Sequence, residues 1–186
     1  MPNANTIDRM VGANTPAQGT KAVPTITLAA TTEKLFLDQT GATAAVSFLP
    51  SAAPSSGAPQ DTFAFVVRAS FRTTTGGTST SVINLYVGNT IVAGNKLATI
   101  TSQSLVTASA SGFLEAHCIW DSVAKVISGY QEGAYGTTTP VANAALSNTA
   151  ISVTSVAGLQ FCISATNGSS VTGTTVTLGE MTVEVS

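Results

Sequence analysis

Over residues 62–72 the chain alternates with a period of two. Phe63, Phe65, Val67, Ala69 and Phe71 fall on one side, and Ala64, Val66, Arg68, Ser70 and Arg72 on the other. A helix would scatter both sets around its axis, whereas a strand separates them. The signature returns at 82–87, with Ile83, Leu85 and Val87 together, and at 159–165, with Leu159, Phe161, Ile163 and Ala165 together. It is strongest over 113–121, where Leu114, Ala116, Cys118 and Trp120 face one way and Phe113, Glu115, His117, Ile119 and Asp121 the other. Shorter runs at 25–29, 33–38, 46–48, 91–92, 97–100, 125–130 and 150–154 bring the expectation to about eight to ten strands. In 176–185 the phase changes: Val176 and Leu178 share one parity, and Met181, Val183 and Val185 take the other. One extra residue at Gly179-Glu180, a β-bulge, would turn the second set back inward.

Many short strands separated by Gly, Pro, Ser and Asn point to a sandwich or a barrel. No repeat of roughly 20–50 residues is present, against a propeller or β-helix. The fold expected is all-β: a jelly-roll-like antiparallel β-sandwich, with an immunoglobulin-like sandwich as the alternative. Trp120 follows Cys118 too closely for the immunoglobulin pattern. Residues 1–22 lack a period and read as an extended N-terminal arm, and 23–186 as a single β-sandwich domain. The proline-rich stretch 50–59 reads as a rim loop, 73–80 as a turn around Gly76-Gly77, and 131–149 as a long loop without a firm pattern.

Composition narrows the function. Charged residues are 9% of the chain, against about 25% in ordinary globular proteins. A polar surface with so little charge repels copies of itself weakly, which suits an assembly component; a secreted β-rich domain shares the composition. The net charge of -2 is built from scattered residues, and Arg68 with Arg72 is the only close basic pair. Phosphate binding needs a clustered basic field, so no nucleic-acid partner is expected. No stretch reaches the roughly 18 apolar residues of a membrane helix, and no membrane partner is expected. The start Met-Pro-Asn-Ala-Asn lacks the basic-then-apolar order of a signal peptide, so synthesis in a cytoplasm is expected.

Catalytic machinery is sparse. His117 is the only histidine, and on a strand it shares a face with Glu115 and Asp121. That pairing suits either an acid/base couple or metal ligands, but a zinc site needs at least three protein ligands and no second histidine exists. The expectation is a solvent-facing or interface histidine, with no catalytic, cofactor-binding or metal residues. Gly-x-Ser-x-Gly, dinucleotide and phosphate-loop motifs are absent. Cys118 and Cys162 read as reduced, buried thiols. Asn167-Gly168-Ser169 matches a glycosylation acceptor but reads better as the turn of a hairpin. Trp120, Tyr86 and Tyr130 could offer a sugar-stacking surface; parity places Trp120 in the core and leaves Tyr86 and Tyr130 as the exposed candidates.

The segment Phe113-Leu114-Glu115-Ala116-His117-Cys118-Ile119-Trp120-Asp121, with Ile127-Ser128-Gly129 and the strands from Gly158 through Val185, resembles β-sandwich structural proteins of tailed bacteriophage particles. The likeness covers residues 60–186 and is one of strands and turns, without an active motif. It implies a non-enzymatic virion protein, first of all a capsid decoration (cement) protein. Its partners would be the major capsid protein or another virion protein and further copies of itself, a trimer being one such arrangement, and its location the virion. The alternatives are a receptor- or carbohydrate-binding module of a phage tail, using the 73–80 and 131–149 loops with Tyr86 or Tyr130, and a shell-forming jelly roll.

Overall fold

The computed structural model describes residues 8–11, 25–29, 31–37, 45–48, 62–74, 80–102, 110–121, 124, 126–136, 141–146, 151–152, 159–168 and 172–185. These form thirteen strands and one 3-10 turn, Ala93–Asn95. In chain order the strands are β1 (Asp8–Val11), β2 (Thr25–Ala29), β3 (Lys34–Leu35), β4 (Ala45–Phe48), β5 (Thr62–Thr74), β6 (Ser81–Val87), β7 (Lys96–Thr101), β8 (Ala110–Asp121), β9 (Val126–Tyr135), β10 (Val141–Ala145), β11 (Ile151–Ser152), β12 (Leu159–Asn167) and β13 (Thr172–Val185).

They pair into two antiparallel sheets, a jelly-roll-like β-sandwich. The larger, eight-stranded sheet runs β1-β13-β5-β8-β9-β10, with β2 also on β13 and β11 also on β9. The smaller, five-stranded sheet runs β3-β12-β6-β7, with β4 also on β12. β13, β9 and β12 are each flanked on one side by two short strands, so every long strand is paired on both edges by pieces of chain. Edge pairing of this kind removes unpaired backbone that would otherwise recruit other chains.

The alternation read from the sequence sets which side packs. Phe65, Val67, Ala69 and Phe71 of β5, Leu114, Ala116, Cys118 and Trp120 of β8, and Ile83, Leu85, Phe161, Ile163 and Ala165 of the smaller sheet share one core. Phe65 and Phe161 meet across the two sheets with ring centroids 5.6 Å apart. The expected bulge is present: Leu178 pairs with Phe71 and Glu180 with Ser70, leaving Gly179 unpaired. The Glu180 amide donates to Ser70 Oγ at 3.1 Å, and beyond it Met181 and Val183 return to the core.

Several local readings change. β9 continues past Tyr130 to Tyr135, and β10 follows, so much of the expected 131–149 loop is sheet. Gln131 turns inward and clamps β7: its Nε2 donates to the Thr99 carbonyl at 3.0 Å and its Oε1 accepts from the Thr99 amide at 2.9 Å. Ile91 and Val92 form no strand and are exposed. Of the run 33–38 only Lys34–Leu35 is a strand, and β5 extends into the expected 73–80 turn as far as Thr74. Within the expected arm, Asp8–Val11 pairs with β13; the rest of 1–22, the rim loop 50–59, and residues 75–79, 137–140 and 147–149 lie outside the described residues.

Candidate functional site

The outer face of the larger sheet carries a large share of the chain's charge. Arg68 and Arg72 of β5, Glu115 and Asp121 of β8, Glu132 of β9, and Glu180 and Glu184 of β13 all point away from the core. They are seven of the chain's sixteen charged residues, seven basic and nine acidic in all. The only histidine stands among them. Register explains the grouping, because cross-strand neighbours on one face lie about 4.5–5.5 Å apart at Cβ. Arg68 is opposite both Glu115 and Thr182, Glu115 is opposite Glu132, and His117 is opposite Tyr130.

The side chains close a row across four strands. Arg68 Nη1 donates to Glu184 Oε2 at 2.6 Å, and its Nε lies 3.2 Å from Glu115 Oε1. The other oxygen of Glu115, Oε2, is 3.4 Å from His117 Nε2, and that same nitrogen is 2.9 Å from Glu132 Oε1. The His117 ring stacks on Tyr130 with centroids 4.6 Å apart and planes 6° from parallel. Exposed ion pairs contribute little stability singly, so this row is better understood by what it presents than by what it holds together.

Beside the row is an open hollow of about 290 Å³, lined by Arg68, Ser70, Phe113, Glu115, Glu180 and Glu184 among others. Phe113 is 42% exposed there. Carboxylates, a guanidinium and an aromatic ring therefore share one depression.

The sequence placed Glu115 and His117 together, and they are. It left Glu132, Arg68 and Glu184 out of the site. Glu132 has the parity of Tyr130 two residues earlier, so extending that strand by one pair would have found it. Arg68 and Glu184 are brought in only by long-range register. Trp120 lies in the core as expected. Tyr130 is exposed, whereas Tyr86 is 1% exposed and drops out as a stacking candidate. Tyr86 does face away from the core, but Glu33 reaches over it and accepts its hydroxyl at 2.8 Å. Burial first, and then Glu33, push its phenol well above the ordinary range.

The thiols offer no nucleophile. Cys118 and Cys162 are free and buried; burial pushes each up to about 12, with the charge of Glu33 adding to the effect on Cys162. Asn167 closes β12, and the amide of the next residue, Gly168, donates to the Thr80 carbonyl at 2.8 Å. The fold that carries these residues is an all-β sandwich.

No protein-family model and no curated protein matches this chain. Among solved structures it is similar to lectin I-B4 from Griffonia simplicifolia in its metal-free form, at 13% identity, over 88% of this chain and 93% of that one, with a TM-score of 0.36. It is also similar to winged bean acidic lectin complexed with methyl-alpha-D-galactose, at 10% identity, over 97% and 100%, with a TM-score of 0.41. The expectations of capsid decoration, of a major capsid protein partner with trimeric assembly, and of a virion location are corrected accordingly: these similar structures are plant lectins.

Proposed function

We propose that the protein is a binding module that recognises carbohydrate on the outer face of its larger sheet. The observation that carries this reading is the hollow in which the exposed ring of Phe113 stands beside Glu115, Glu180, Glu184 and Arg68. Sugars present apolar C–H faces and hydroxyl edges. An aromatic ring matches the first, and ionised carboxylates and guanidinium form the stronger, charge-assisted hydrogen bonds with the second. Ligand sites run to roughly 300–1,000 Å³, so a hollow just below that range suits a small polar ligand. The strand pattern resembling phage structural sandwiches enters this proposal as a likeness of pattern and supplies no ligand.

A glycan array probed with the full chain, followed by titration of the best ligand, tests the reading. Phe113→Ala and Arg68→Ala, which both change residues lining the hollow, are expected to weaken binding at least tenfold with thermal midpoints near that of the wild type. An array without a bound glycan, or affinity unchanged in both variants, would overturn it.

A further inference from the structure

We infer that Glu115, His117 and Glu132 form a binding site for a divalent first-row cation of the zinc type. The three donor atoms come from β8 and β9 and all lie within 4.8 Å of one another. Zinc holds nitrogen and carboxylate oxygen at about 2.0–2.2 Å in a tetrahedron, which sets neighbouring donors about 3.3 Å apart. His117 Nε2 is 2.9 Å from Glu132 Oε1 and 3.4 Å from Glu115 Oε2. Two of the three edges of the donor triangle are thus near the required length without backbone movement.

The surroundings favour a cation over a plain ion pair. Glu115 and Glu132 are register partners, and like charges set directly opposite on a sheet repel. A dication between them turns that repulsion into coordination. Arg68 engages Oε1 of Glu115, leaving Oε2 toward His117, and so holds the carboxylate in a monodentate pose. Parallel stacking on Tyr130 fixes the plane of the imidazole. Partners that orient ligands in this way commonly change metal affinity by roughly tenfold to a hundredfold. Three protein ligands leave the fourth zinc position to water or to an incoming oxygen ligand, and Glu115 also lines the hollow. Imidazole with two carboxylates selects zinc-type ions over calcium and magnesium, which take oxygen ligands in larger number.

The inference stands on donor geometry and is independent of the carbohydrate reading, so its test needs no glycan. Tag-free full-length protein, stripped with chelator, is titrated calorimetrically with zinc chloride and in parallel with calcium chloride. One equivalent of zinc is expected to bind, with a rise in thermal midpoint, and calcium is expected to bind at least tenfold more weakly. His117→Ala and Glu132→Gln should each lower zinc affinity at least tenfold. Because either change could also disturb the sheet, Tyr130→Phe, which keeps the ring and all three donors, should retain affinity within about threefold. Absence of stoichiometric zinc binding below millimolar concentration overturns the inference, and so does zinc binding that is insensitive to Glu132→Gln or matched by calcium.

Discussion

Glu33 shows how one carboxylate can organise a surface. Its Oε1 accepts hydrogen bonds from Asn84 Nδ2 at 2.7 Å, from the Tyr86 hydroxyl at 2.8 Å and from Ser164 Oγ, joining the segment before β3 to both β6 and β12. Burial by itself would raise its pKa; the donors Ser164, Tyr86 and Asn84, with the charge of Lys96, outweigh that and leave it lowered. A lowered carboxyl stabilises the fold above its unfolded value, and the contribution disappears as pH falls through the folded one. Glu33→Gln should therefore cost about 1–2 kcal/mol at pH 7, the scale of charge-assisted hydrogen bonds partly open to water. Urea midpoints of the two proteins should converge as the pH is taken below the ordinary glutamate range. A gap that persists unchanged in acid would show that the charge is not what matters. None of this was legible in the sequence. Glu33 looked like the start of an alternating strand, and Tyr86 looked exposed, because parity tells which side of a sheet a residue takes and not what is laid over that side.

At the scale of the element, legibility followed apolar content. The runs in β5, β8, β12 and β13 were readable because their inward residues are large and hydrophobic, and even the Gly179 bulge announced itself as a phase change between Leu178 and Met181. β9 was readable only to Tyr130, because the next inward residues are Gln131 and Gly133. Gln131 is satisfied by hydrogen bonds to Thr99 and not by apolar contact. Ile91-Val92 misled in the opposite sense, being apolar without a partner strand. Gly129 joins strand geometry to the site. It lies opposite Cys118, one residue before Tyr130, with φ of +146°, and a Cβ there would stand 1.9 Å from the His117 carbonyl oxygen. Strained backbone of this kind costs about 1–3 kcal/mol for a non-glycine residue even without a collision. Gly129→Ala should lower unfolding free energy by more than about 2 kcal/mol and separate the His117 and Tyr130 rings. Denaturant unfolding reads the first effect, and histidine ring NMR shifts the second.

For the whole molecule, the sandwich divides labour between its interior and one of its faces. The interior joins the sheets through large side chains, of which Phe161 is fully buried and paired with Phe65. The outer face of the larger sheet collects charge that contributes little to stability, since Arg68 is exposed and its ion pairs are screened by solvent. Two substitutions of comparable size loss should therefore separate cleanly. Phe161→Ala removes a ring from between the sheets and should destabilise by about 3–5 kcal/mol, the range for a buried aromatic. Arg68→Ala should cost less than about 1 kcal/mol, because it takes an exposed side chain from a network that water can replace. The second variant nevertheless releases Glu115 and Glu184 from their shared partner, so ligand affinity should fall while the unfolding midpoint stays put. Chemical denaturation of both variants decides the matter. If Arg68→Ala proved as destabilising as Phe161→Ala, the charged row would be a structural clasp, and the face would have lost its claim to be a surface kept for binding.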